Sequence, residues 1–214
     1  MVKIGIAGVG GIGSNVAVNL VRTGITRLKI ADFDRIEASN LNRQFYFADQ
    51  IGLPKVEALK ENLRRINPLV EIEAARIRLA RENMPEFFRD CDILVEGFDR
   101  AECKKEFYEA FHADSRPVVM ANGVAGDNPD EVRVRPVGNG FIVGDFKSDV
   151  NSAGVFSPKV TLVAAIMSDL VLKMAGQYKK VKAKNQKGWC PEWQSIRFPK
   201  ASMELPRKGF RGDG

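Results

Sequence analysis

The first 32 residues constrain this chain more than any other stretch. Residues 2–7 (VKIGIA) form a short apolar run that enters Gly8-Val9-Gly10-Gly11-Ile12-Gly13, a pattern that predicts a buried parallel strand. From Ile12 onward the apolar residues Val16, Leu20 and Val21 keep helical spacing, and Gly24 stops the helix. Residues 27–31 (RLKIA) predict a second strand ending at Asp32. Strand, glycine turn, helix and strand together make a βαβ unit. In that context Gly8 allows the tight turn, Gly10 and Gly11 let a phosphate approach the backbone, and Gly13 permits close helix packing. The first-turn N–H groups and the positive helix end attract the anion. A carboxylate at Asp32 is placed to accept hydrogen bonds from ribose hydroxyls. The plainer alternatives are a tight turn with no ligand and an exposed strand-end acid. Asp34 reads as a cap or turn former.

Beyond Asp32 the alternation pauses. Residues 34–51 are polar and aromatic; Pro54 then begins a helix through Ile66 at the N1 position proline favours, with Val56, Leu59, Leu63 and Ile66 apolar. Asn67-Pro68 ends it. Residues 70–74 predict a third strand, 83–88 a short capped helix, and 92–95 a fourth strand running into Glu96-Gly97-Phe98-Asp99. A helix over 101–112 and a fifth strand over 117–121 follow. Residues 131–136 and 140–143 predict two short strands around the hairpin turn Gly138-Asn139-Gly140. After an aperiodic stretch, 145–154, Ser157-Pro158 opens an apolar helix over 159–175 that Gly176 ends. There is no internal repeat. The sum is a Rossmann-like, doubly wound α/β sheet, mainly parallel, with antiparallel extension strands.

Charge divides the chain in the same place. Residues 177–214 hold 10 Lys/Arg against 3 Asp/Glu, whereas the first 176 residues hold 23 against 24. The expected organisation is therefore a nucleotide-binding domain over 1–176 and a basic tail over 177–214, not a nucleic-acid-binding core. Three cysteines, Cys91, Cys103 and Cys190, form no pairing framework. No apolar run approaches the roughly 20 residues a bilayer span needs, and the chain enters its first strand without a leader. A cytoplasmic protein with no membrane partner is expected.

Six ordered motifs resemble one family: Gly8 to Gly13, Asp32-Phe33-Asp34, Ser39-Asn40-Leu41-Asn42-Arg43-Gln44, Gly52-Leu53-Pro54-Lys55, Ile66-Asn67-Pro68 and Asp99. Their order and spacing are similar to the ThiF/MoeB/ubiquitin-activating superfamily over residues 1–125, and the helix from Pro158 resembles that family's late helix. Within it, the short form is most similar to ThiF-type proteins of thiamine biosynthesis. The resemblance implies a homodimeric adenylyltransferase. The Gly-Gly carboxylate of a ubiquitin-like, ThiS-like sulfur carrier attacks the α-phosphate of ATP, and pyrophosphate leaves. Such chemistry asks the enzyme for alignment and charge neutralisation. By the same resemblance Asp32, Asn40, Arg43, Gln44 and Lys55 are the ATP residues, with Arg43, Lys55 and Asp99 carrying catalysis and Asp99 holding Mg²⁺. Arg43 offers a planar fork to phosphate oxygens and Lys55 a point charge at a helix start. The competing roles are surface charge for Arg43 and Lys55, and a helix N-cap for Asp99.

The family pattern also predicts features this sequence departs from. Many members carry an arginine on a helical segment before the first strand; here either another basic residue substitutes, with Arg197, Arg207 and Arg211 of the tail as candidates, or activity is weak. Three scattered cysteines cannot supply the family's four zinc thiolates, so no zinc is expected. Cys190 lies in a basic setting that favours thiolate, although a tail cysteine without a role is the preferred reading. Cys91 and Cys103 read as packing residues, His112 as a helix-end cap, and Trp189 and Trp193 as docking groups. Three other functions stay open. One is adenylation-driven cyclisation of threonylcarbamoyladenosine in tRNA, which the basic tail suits. Another is a scaffold that holds nucleotide or carrier without turnover. The last is an NAD-dependent oxidoreductase.

Overall fold

The computed structural model describes residues 1–149 and 152–179. Cys190, Trp189, Trp193 and the tail arginines, for which the sequence raises expectations, lie outside those residues. A seven-stranded sheet organises the rest, in the order β3-β2-β1-β4-β5-β7-β6. Its strands are β1 (Ile4–Ala7), β2 (Arg27–Ala31), β3 (Glu71–Ala75), β4 (Ile93–Glu96), β5 (Val118–Ala121), β6 (Arg133–Val137) and β7 (Gly140–Gly144). All neighbours are parallel except β6, which pairs antiparallel with β7. The hairpin thus returns β7 to lie parallel beside β5, and β6 becomes the edge. Pro136, Arg133 and Arg135 on β6 blunt that edge against further strand pairing.

The strands are short apolar runs because both faces of the sheet are covered. On one face α1 (Gly11–Arg22), α2 (Lys55–Ile66) and α5 (Ser157–Met174) bury Val16, Leu20, Leu59, Leu63, Val163 and Met167 against Ile4, Ile6, Ile30 and Val95. On the other, α3 (Met84–Phe87) and α4 (Ala101–Phe111) bury Met84, Phe107 and Phe111, and Phe88 joins them against Leu94, Val118 and Met120. The three rings stack edge-on or tilted, with Phe107 and Phe111 at 5.0 Å between centroids. No helix among the described residues is long and apolar enough to cross a membrane.

Two local expectations shift. Pro54 stands at the N-cap of α2 with ψ 132°, one position before N1, so Lys55 is the first helical residue. The N-cap of α4 is Arg100, in extended conformation, so Asp99 lies outside the helix and is not its cap. His112 does sit at the C-terminal cap of α4, its Nδ1 3.1 Å from the Glu109 carbonyl oxygen.

Candidate nucleotide site

In a doubly wound sheet the ligand crevice opens where chain order reverses, here between β1 and β4 at the carboxyl ends of the strands. The backbone is unusually tight at that point. A Cβ on Gly13 would lie 1.9 Å from the Gly8 carbonyl oxygen, so only glycine lets α1 start this close to the turn. Gly97, just past β4, packs its backbone against Gly8 in the same way. Gly10 caps α1 without a side-chain hydrogen bond, and no acid occupies the first turn. The N-terminal donors of a 12-residue helix therefore face the crevice without a built-in anion.

Asp32 closes one side. Its Oδ2 accepts the Val9 N–H at 2.8 Å and its Oδ1 the Asp34 N–H at 2.9 Å, which locks the end of β2 to the glycine turn. Burial pushes its carboxyl up, and the two N–H groups and the nearby Lys55 charge only partly oppose that. Asp34 is more than a turn former. Its carboxylate pairs with Lys55 Nζ at 3.0 Å, and its carbonyl accepts the Lys55 N–H that opens α2. Lys55 is buried, with a side chain 8% exposed.

The segment between β2 and α2 folds back over the glycine turn. A Cβ on Gly11 would lie 3.7 Å from Arg43 Cγ, and one on Gly10 would lie 3.7 Å from Gln44 Nε2. Arg43 and Gln44 thus flank the start of α1. Side chains that the sequence did not single out hold them there. Asn15 Nδ2 donates to the Arg43 carbonyl at 2.9 Å, Ser14 Oγ accepts the Phe45 N–H at 3.0 Å, and the buried Tyr46 hydroxyl donates to the Val9 carbonyl at 2.7 Å. Gln50 and Asn62 exchange hydrogen bonds beneath them at 2.7 and 3.0 Å. The Arg43 guanidinium rests on the Ser39 carbonyl and Asn42, whereas Gln44 Oε1 is buried with no hydrogen-bond partner. Asn40 is turned inward instead: its Oδ1 accepts the Glu37 N–H at 3.1 Å and braces the loop.

Phe33, next to Asp32, is 37% exposed, and the Arg78 guanidinium lies over its ring, 3.9 Å from the centroid. On the far side of the crevice Asp99 is exposed and makes no hydrogen bond or ion pair among the described residues. Its turn is set by Glu96, a fully buried carboxylate with no local mark of burial in the sequence. Glu96 accepts from the Phe98 N–H at 2.6 Å, from the Ala121 N–H at 3.2 Å and from Lys104 Nζ at 2.8 Å. No group of three or more His, Cys, Asp or Glu gathers into a metal cluster among the described residues. Burial pushes the Cys91 thiol up to about 12 and raises that of Cys103, so neither is a poised thiolate.

Comparison with known proteins places this arrangement. The model of the ThiF family matches residues 1–207. The sulfur carrier protein adenylyltransferase of Thermus thermophilus is 39% identical over 116 residues, 54% of this chain and 43% of that protein. Ubiquitin-like modifier-activating enzyme 5 of Caenorhabditis elegans is 49% identical over 70 residues, 33% of this chain and 17% of that one. The chain thus spans less than half the length of these curated relatives. Among solved structures, E. coli tRNA N6-threonylcarbamoyladenosine dehydratase in complex with ATP superposes with a TM-score of 0.70 at 21% identity, covering 87% of this chain and 88% of that one. E. coli MccB with ATP gives 0.67 at 24% identity, covering 83% and 57%. At such identities these two likenesses bear on the fold alone.

Proposed function

The chain belongs to the ThiF family, and from that premise we propose that it is an ATP-dependent adenylyltransferase of the ubiquitin-activating type. Its acceptor is the C-terminal Gly-Gly carboxylate of a ubiquitin-like sulfur carrier, in thiamine biosynthesis, and it works as a cytoplasmic homodimer. One observation carries the nucleotide part: Arg43 and Gln44 lie over the uncapped start of α1, with Asp32 bonded to the same glycine turn. The similarity to a sulfur carrier protein adenylyltransferase supports the acceptor.

In this reading the polyphosphate sits on the N-terminal donors of α1, at Gly10, Gly11 and Gly13. Asp32 turns its remaining lone pairs to the ribose, and the partly exposed Phe33 ring takes the adenine. An oxygen of the carrier carboxylate attacks the α-phosphorus. The bond from that phosphorus to the bridging oxygen breaks, and pyrophosphate leaves with the electron pair. No proton has to move, so the protein contributes position and charge. Arg43 swings from Ser39 and Asn42 to the phosphates, and Lys55 supplies a second cation from its place beside Asp34. A lone exposed carboxylate at Asp99 fits Mg²⁺, which takes one or two protein carboxylates and fills its other positions with water and phosphate. The ion would neutralise phosphate charge there.

The test is to mix the protein with ATP, Mg²⁺ and a Gly-Gly-ended carrier and to measure pyrophosphate and the AMP–carrier conjugate. Both are expected; ATP binding without either product sinks the proposal. A second reading, adenylation of threonylcarbamoyladenosine in tRNA, has the net +7 of residues 177–214 behind it. It requires salt-sensitive tRNA binding that is lost on truncation at Gly176.

A further inference from the structure

Val9 sits in the glycine turn, fully buried, and both polar groups of its backbone are held from outside the turn. Its N–H goes to Asp32 Oδ2 at 2.8 Å, and its carbonyl accepts the Tyr46 hydroxyl at 2.7 Å. The two anchors come from different parts of the chain. Asp32 follows β2, whereas Tyr46 belongs to the segment that folds back between β2 and α2. No other group bonds the Val9 carbonyl among the described residues. Burial, with the charges of Asp32 and Asp34 behind it, pushes the Tyr46 phenol well above its ordinary range, so it stays a donor.

The same segment holds the next two carbonyls. Ser14 Oγ donates to the Gly10 carbonyl at 2.6 Å and accepts the Phe45 N–H at 3.0 Å. Asn15 Nδ2 donates to the Gly11 carbonyl at 2.7 Å and to the Arg43 carbonyl at 2.9 Å. Carbonyls 9, 10 and 11 are thus tied, in order, to residues 46, 45 and 43. The segment is itself fixed to α2 and its approach: Asn62 Nδ2 donates to the Phe45 carbonyl at 3.2 Å, and Gln50 Oε1 accepts the Phe47 N–H at 3.1 Å.

A trans peptide points its C=O and its N–H in opposite directions. Pinning the Val9 carbonyl inward therefore turns the Gly10 N–H away from the Tyr46 ring. The N–H groups of Gly10, Gly11, Ile12 and Gly13 make no hydrogen bond among the described residues. A peptide that precedes glycine flips at little steric cost, because glycine accepts both orientations. A flipped Val9–Gly10 peptide would present a carbonyl where an anion needs a donor. Asp32 does not prevent this, since it holds the N–H of Val9 and not the peptide that follows. The Tyr46 hydroxyl does.

We propose that Tyr46 is a positioning residue for the polyphosphate: its hydroxyl keeps the Val9 carbonyl inward, so that the Gly10 N–H and the first donors of α1 face the anion. Ser14 carries the same constraint to the Gly10–Gly11 peptide. This inference rests on the nucleotide reading of the crevice. Tyr46 touches no part of the nucleotide, and its hydroxyl acts on the phosphates alone. Loss of that hydroxyl is therefore felt by a ligand that carries phosphates and not by its nucleoside.

Tyr46→Phe removes the hydroxyl and keeps the ring. Folding is followed by thermal melting, and the affinities for ATP and for adenosine by NMR titration. The variant should fold and bind adenosine within about twofold of the parent, while its ATP affinity falls on the order of threefold to tenfold, the worth of one hydrogen bond. Ser168→Ala is the matched control: it removes a buried hydroxyl from the middle of α5 and should leave the ratio of the two affinities unchanged. An ATP affinity equal to the parent's, a loss that ATP and adenosine share, or the same selective loss in Ser168→Ala overturns the proposal. If Tyr46→Phe does not fold, Ser14→Ala carries the test, with the same selective loss expected and a shared or absent loss overturning it. A parent that binds no ATP removes the nucleotide reading and this inference together, whereas parental ATP affinity in Tyr46→Phe removes this inference alone.

Discussion

The two ends of the sheet treat charge in opposite ways. At the amino end Lys3 and Lys29 meet Glu73 and Asp90, with Lys3 to Glu73 at 2.5 Å and Lys29 to Asp90 at 2.9 Å, but those acids stay 57% and 44% exposed. At the carboxyl end the acids Glu96 and Asp145 are 0% and 2% exposed and spend every oxygen on backbone N–H groups and a lysine. Exposed pairs are screened and worth little; buried pairs are expensive and appear where geometry has to be held. The amino end is stapled, whereas the carboxyl end is shaped.

Breaking one partner of a buried pair is the hardest test of that contrast. Lys159→Ala should lower the unfolding free energy by about 3–5 kcal/mol in urea denaturation, since it strands Asp145 inside the protein. A loss no larger than that of a surface pair would erase the distinction between the ends. Arg43→Ala should do the reverse, cutting kcat of adenylation by about 10²–10³ while the melting temperature holds. A melting temperature that drops with it would make Arg43 a structural residue.

Acid titration separates the ends by sign. Hydrogen bonds from Lys3 hold Glu73 below its usual range, and those from Lys3 and Lys29 do the same for Asp90. Their stabilisation is therefore complete above the ordinary carboxylate range, about 4, and is lost as pH falls through the depressed values. Asp32, raised mainly by burial, works the other way: the native state takes up its proton first, so acidification through that window relieves strain while weakening a hydrogen-bond acceptor for ribose. Unfolding measured from pH 7 to 3 should show a shallower acid decline in Lys3→Met. ATP affinity should begin to fall above the normal aspartate range, an onset that Asp32→Asn abolishes. The smallest effect is expected for Lys29→Met, under about 1 kcal/mol at physiological salt. A larger loss would mean that the amino end, too, depends on fixed charge geometry.

Much of the fold was legible because it is local. Among the described residues, the 3.6-residue and two-residue periodicities and the glycine and proline stops located every strand and α-helix to within a few residues, and the 27–31 strand falls on β2 itself, but the single-turn 3-10 helices at Ala38–Asn40 and Ala48–Gln50 lie in a stretch with no periodicity to mark them. The candidate nucleotide site was legible in part, through the glycine turn with its acid and the Arg43 segment. Ser14, Asn15 and Tyr46 were not, since their partners lie 28 to 37 positions away and polar residues in a helix or loop carry no local mark of burial. Glu96 and Lys159 were missed for the same reason. In sequence, an acid after a strand and a lysine after Ser-Pro look like solvated charges.

By itself, then, the sequence determined a βαβ start, an alternation of short buried strands with helices, and a charge division at residue 176, all consequences of side-chain period and backbone freedom within a few residues. Tertiary structure decided the rest. Only the return of β7 beside β5 brings Asp145 against Lys159, and only the fold-back of residues 39–46 brings Arg43 to Gly11. Burial and hydrogen-bond satisfaction belong to neighbours in space, so the function of a charge is settled when the chain closes around it.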